Sequence, residues 1–173
     1  MNAHRLFFQA VESSDYTEWN RWYTKYLRES DEGIMILLGQ DFTGMDLSGA
    51  CLRNFDLTAA VFAGASLAGA DLCGAVIDEA NFSGAVLTSA NLSGVFAAFA
   101  VFHEADISLA NLSGGDFTGA DFTSANLRRC YAQRAVFTNA DFRNADLCGV
   151  YARLADCEGA DFSGADRFGA VFS

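Results

Sequence analysis

Two histidines, five cysteines and 22 acidic residues are the groups in this 173-residue chain best suited to acid–base, nucleophilic or metal chemistry. A histidine beside a cysteine or a carboxylate would support general-base or nucleophilic catalysis, and Cys with His at short spacing would hold zinc. The spacings favour neither. His4 stands alone near the N-terminus, and His103 is followed by Glu104 in an outward-facing pair that reads as solvated surface. Cys51, Cys73, Cys130, Cys148 and Cys157 fall into no metal-ligand pattern, so neither a zinc site nor a disulfide is suggested. No glycine-rich loop follows a strand and opens a helix, which leaves no phosphate cradle. The carboxylates recur too regularly for any one pair to signal acid–base work. No catalytic residue, cofactor or metal is expected.

What must position these residues is a repeat. From Phe42 to Phe172 a large apolar residue recurs at every fifth position, and 22 of these 27 positions are Leu, Phe or Ile. The exceptions are Ala97, Ala132, Ala152, Cys157 and Arg167. Two residues earlier stands Ala in 20 of the 27 units, with Asp or Asn most often between the two. A period of five fits neither a 3.6-residue helix nor a two-residue strand. It fits a chain that turns a corner every five residues and stacks on itself, with Ala and the large residue facing in. Phe42, Phe62, Phe82, Phe102, Phe122, Phe142 and Phe162 recur every 20 residues. Four sides per coil would pile them into one aromatic column, beside a column of Leu47, Leu67, Leu87, Ile107, Leu127 and Leu147. By this register Cys51, Cys73 and Cys148 point outward, and Cys130 and Cys157 inward.

Units such as Ala70-Asp71-Leu72-Cys73-Gly74, repeated in tandem, resemble the pentapeptide-repeat proteins. The resemblance covers residues 40–173 and implies an all-β solenoid, a right-handed quadrilateral parallel β-helix. Twenty-seven units make 6.75 coils, or a rod roughly 30 Å long at the usual strand spacing. Asp or Asn before the large residue can bond local backbone at the corner, and Gly tolerates positive φ there. Twelve of the 16 acids in the repeat region occupy that position, so turn chemistry accounts for most of the acidity. Three units trade volumes: Val95-Phe96-Ala97, Cys130-Tyr131-Ala132 and Val150-Tyr151-Ala152 enlarge the small inner site and shrink the large one. Each conserves inner volume and places an aromatic outside, with Tyr131 and Tyr151 stacking on one face.

Residues 1–33 belong to a different class and are expected to form an N-terminal α-helical cap on a β-helix of residues 34–173. Trp19, Trp22, Tyr23, Tyr26 and Leu27 make one stripe at helical spacing, Asp15 with Glu18 resembles a capping box, and Gly33 is a plausible stop. Such a cap would cover the open first coil, whose strand edge invites aggregation. No comparable cap is expected at the other end. Arg167 falls on an inward position, where an unpaired guanidinium is costly, so the last coil should be incomplete with Arg167 reaching out of it. Phe162, Phe168 and Phe172 would then form an apolar end through which the chain is expected to make a homodimer.

The balance of 22 acids against 11 bases gives −11, with one lysine. Binding to nucleic acid through its phosphates needs clustered Lys and Arg, so direct nucleic-acid binding is not expected. The longest apolar run, Val95 to Phe102, is far shorter than a membrane span. The N-terminal stretch lacks the marks of a secretory signal, and the odd cysteine count suits reduced thiols, so a cytoplasmic protein is expected. Residues 41–120 carry nine acids against Arg53 alone, whereas residues 121–173 carry seven acids against six arginines. By the register Phe96, Phe99 and Val101 face outward, with Val76 one coil below Phe96. These four residues are the candidate interaction patch.

The expected function is a non-catalytic protein–protein interaction or regulatory scaffold presenting a rigid acidic rod. The resemblance implies an alternative. Some relatives, quinolone-resistance members among them, are dimeric acidic rods that resemble B-form DNA and bind DNA gyrase or topoisomerase IV. Against DNA mimicry, Asp lies on all four faces, arginines interrupt the later coils, and the register leaves no room for projecting loops.

Overall fold

The computed structural model describes residues 3–29 and 35–172, with side chains from residue 5 in the first segment to residue 25. Two helices, α1 (Ala3–Ser13) and α2 (Thr17–Glu29), precede the repeat. The amide of Thr17 donates to Asp15 Oδ1 at 3.0 Å, which satisfies one of the free donors of the first turn. The expected stop at Gly33 and the join between cap and repeat lie outside the described residues.

From Ile36 onward the backbone repeats one five-residue pattern of bridge, turn, turn. Every bridge is parallel and joins residues 20 apart, as in Asp41 with Val61 and Asn81 with Val101. Four five-residue sides therefore make one coil, and successive coils pair by backbone hydrogen bonds. The amide of Phe42 donates to Val61 O at 2.7 Å, and the amide of Val61 donates back to Gln40 O at 2.9 Å. Among the described residues, only Tyr151–Ala152 (β1) and Val171–Phe172 (β2) pair for long enough to count as strands. The shortness is geometric: the corners leave each side room for little more than a single bridge.

Each corner is a turn closed by an amide three residues on, as where Met45 donates to Phe42 O at 3.1 Å. Its second central residue has φ near +60°, for example Gly44 at 65°, which is the type II condition and favours glycine. All twelve Asp and four Asn before the large residue accept the backbone amide two residues ahead. The acids are thus built into the corners.

From Leu47 to Ala152 the inner positions are buried, and in the last coil those that are apolar are half-buried. The seven phenylalanines form one column, with successive centroids 4.7 to 5.0 Å apart and interplanar angles of 1° to 14°. A shorter aromatic pair, Phe117 over Phe137 at 5.3 Å, fills another face. The volume trades hold: Val95 and Ala97, Cys130 and Ala132, and Val150 and Ala152 are all buried. No helix among the described residues is long and apolar enough to cross a membrane.

Candidate interaction surfaces

The two ends of the rod are treated differently. In the body, a carbonyl such as Ser66 O accepts the amide of Leu47 from the coil before. The first coil has no coil before it, and side chains of the cap stand in. Tyr16 Oη donates to Asp46 O at 2.7 Å, Trp19 Nε1 to Cys51 O at 2.8 Å, and Tyr23 Oη to Arg53 O at 2.8 Å. Asn20 works in both directions, donating to Gly49 O and accepting the amide of Cys51, each at 2.8 Å. Phe7, Trp19 and Tyr23 close on Phe55, and Phe7 meets the ring of Phe42 at the foot of the column. Of the four aromatics expected in the cap, Trp19 and Tyr23 are buried and Trp22 is half-buried. The side chain of Tyr26 is outside the described ones. Sequence spacing missed Tyr16 and Asn20, whose part lies in single hydrogen bonds to a backbone some 30 residues away. Burial, then the charge of Asp46, pushes the Tyr16 phenol up to about 12, so it stays a donor at neutral pH.

Among the described residues the last coil has no such substitutes. The amides of Cys157, Phe162 and Arg167 and the carbonyls of Ala155, Ala160 and Ala165 have no hydrogen-bond partner among the described residues. Arg167 is exposed, and its guanidinium lies over the Phe162 ring, 5.2 Å from the centroid. It covers the top of the phenylalanine column as a cation–π contact. Phe172 meets Phe162 edge-on at 5.6 Å, and Phe168 is 84% exposed.

The candidate patch is brought together in part. Val76 and Phe96 pair in register on one face. Phe96 is 56% exposed, while Val76 and Val101 are half-buried. Phe99, 64% exposed, occupies a corner at φ 57°. Its ring lies along the next coil, where a Cβ at Gly119 would sit 2.7 Å from it. Val101 pairs with Asn81 and Asp121 on the adjoining face. The four residues therefore wrap a corner, with two phenylalanine rings as its exposed part.

Groups capable of chemistry are committed elsewhere. His103 Nδ1 is 2.7 Å from Thr123 Oγ1 on the next coil. Burial pushes the Cys130 thiol up to about 12 and raises Cys157 as well, which removes thiolate character. Cys130 Sγ donates to Ile107 O at 2.9 Å. Cys51 and Cys148, expected on the outside, are buried instead; Cys51 lies beneath the cap, where Trp19 and Asn20 bond its backbone. Asp146, Cys148 and Asp166 hold ligand-type atoms within 4.8 Å of one another, but Asp146 is already bonded to Arg128 and the Cys148 amide.

A family model for pentapeptide repeats matches in eight copies, over residues 41–78, 56–94, 80–119, 116–151 and 133–166. No curated protein matches the chain. Among solved structures, Rfr23, a pentapeptide repeat protein from the cyanobacterium Cyanothece 51142, is 19% identical with a TM-score of 0.39, over 80% of this chain and 91% of that one. QnrB1, a plasmid-mediated fluoroquinolone resistance protein, is 16% identical with a TM-score of 0.38, over 81% and 92%. A pentapeptide repeat protein of the Arabidopsis thaliana thylakoid lumen is 28% identical with a TM-score of 0.23, over 67% of each chain.

Proposed function

The chain belongs to the pentapeptide-repeat family, and on that premise we propose that it is a non-catalytic scaffold that holds a protein partner against a rigid acidic rod. The reading rests on Phe96 and Phe99, two large apolar rings exposed on one corner beside half-buried Val76 and Val101. Phe96 stands at the position where Asp or Asn bonds the turn in 16 of the 27 units, and the turn itself does not need its ring outside. The winding is taken as right-handed, the hand the family implies, and the five unpaired cysteines suit a reducing compartment such as the cytoplasm. The open last coil, with its free amides and Phe168, is the surface through which the chain forms a homodimer.

Partner capture tests the scaffold. The pair Phe96→Asp and Phe99→Asp should abolish recovery of a partner that the unaltered rod retains. Equal recovery would remove the corner from consideration. DNA mimicry of a type II topoisomerase is the second reading, favoured by the nine acids against one base in residues 41–120. A gyrase supercoiling assay with and without ciprofloxacin separates the two, since a general scaffold leaves supercoiling unchanged.

A further inference from the structure

One face of the rod departs from the acidity of the others. Over the later coils its outward positions read Asn111, Ser113 and Gly114, then Tyr131, Gln133 and Arg134, then Tyr151, Arg153 and Leu154. None is a carboxylate. Over the same stretch the three other faces carry Asp106, Asp116, Asp121, Asp141, Asp146 and Asp156. Tyr131, 55% exposed, pairs in parallel register with Tyr151. The amide of Arg134 donates to Arg153 O at 3.0 Å, which sets these two residues on neighbouring coils, about 5 Å apart.

Three of the seven arginines on the rod are held in ion pairs, and these two are not. Arg53, Arg128 and Arg143 are held by Asp71, Asp146 and Asp141. Arg134 and Arg153 are exposed, and no carboxylate among the described residues lies within 4.0 Å of either. Together with Tyr151, Leu154, Gln133 and Ser113 they line a cavity of about 560 Å³, within the size range of ligand clefts. Leu154 is 64% exposed and sits at φ 60°, at a corner that Gly94 and Gly114 fill in earlier coils. A bulky side chain in that backbone region is strained, and its exposure returns nothing to the fold. Tyrosine and arginine are also the residues that most often carry the energy of interfaces.

We propose that this Tyr–Arg face docks an acidic, extended peptide segment of a partner protein. Carboxylates of the segment pair with the guanidinium forks of Arg134 and Arg153, and an aromatic or apolar residue between them enters the cavity beside Tyr151 and Leu154. Planar guanidinium groups suit carboxylates through paired hydrogen bonds. A long nucleic-acid polyanion is disfavoured because the adjoining faces are lined with aspartates. A second copy of the chain is disfavoured too, since twelve of the 16 acids in its repeat region are short aspartates tied into corners, which do not reach into a cleft. The inference deepens the scaffold reading and rests on it, while using residues separate from Phe96 and Phe99.

The test is fluorescence anisotropy of a labelled octapeptide of alternating Glu and Tyr, titrated with the full chain. Binding should weaken as salt rises, and the same peptide with Gln for Glu should not bind. Arg134→Glu with Arg153→Glu should lower affinity about tenfold or more, whereas Arg143→Glu, on another face, should leave it unchanged. Should the double Glu variant fail to fold, Arg134→Gln with Arg153→Gln is expected to give the same loss. Equal affinity of wild type and double variant, or no binding of the Glu peptide, would overturn the proposal. So would tighter binding of a single-stranded DNA of similar length. Self-association lost only in the double variant would assign the face to a second copy and likewise overturn it. Peptide binding that fails while Phe96→Asp/Phe99→Asp still abolishes partner capture removes this inference alone.

Discussion

A methyl group on Gly115 would stand 2.6 Å from the Phe117 ring and 3.2 Å from Val95. Gly115 occupies the inner position that is Ala in most units, and the Phe117 ring has taken even that methyl's space. Gly115→Ala should therefore destabilise the fold by about 1–3 kcal/mol, the usual cost of overpacking, measurable by urea denaturation. An unchanged midpoint would show that the ring yields freely. At this scale the sequence was legible wherever a residue type answered to its place in the five-residue unit: the aspartates in the turns, the three volume trades, the phenylalanine column. It was not legible for Cys51, which the register sends outward but the cap buries, because burial there comes from an element outside the period.

The element most dependent on single contacts is α2. Its aromatic stripe can be read from spacing, since apolar positions on one helical face announce themselves. That Tyr16, Trp19, Asn20 and Tyr23 would replace the backbone of an absent coil cannot be read that way. Hydrogen-bonding reach to carbonyls near residue 50 has no periodic signature. Trp19→Phe keeps a ring against Tyr23 and Phe55 while removing the donor to Cys51 O. Leaving that buried carbonyl unmet should cost about 1–3 kcal/mol, read as a lowered thermal midpoint. Trp22→Phe, on the half-buried side of the same helix, should cost less. Equal losses would indicate packing, not hydrogen bonding, as the contribution of Trp19.

For the molecule as a whole, acidity and stability are linked through the corners. Hydrogen bonds from Thr43, Ser48 and Ser163 hold the carboxyls of Asp41, Asp46 and Asp161 below the ordinary 3.8, and the Arg143 guanidinium does the same for Asp141. A folded value below the unfolded one means that the folded chain binds fewer protons. The stabilisation is complete above about pH 4 and is lost as pH falls through the folded values. The melting temperature should thus be level from neutrality to about pH 5 and drop below about pH 4. A midpoint that holds to about pH 2.5 would contradict the linkage. The open last coil makes its own claim at this scale: light scattering should return the mass of two chains, and Phe168→Asp with Arg167→Glu should halve it. A single-chain mass for the unaltered protein at micromolar concentration would overturn the dimer.

The 20-residue spacing of the bridges also makes the rod's length a quantised property. Excising one whole lap from the middle would join like to like, ring on ring and corner on corner, and give a shorter rod of the same cross-section. Excising five residues would rotate everything downstream by a quarter-turn, so that at the join the phenylalanine column would meet the leucine column. Such a chain can be lengthened or trimmed by duplication and loss only in whole laps, so it behaves as a measuring stick with discrete graduations.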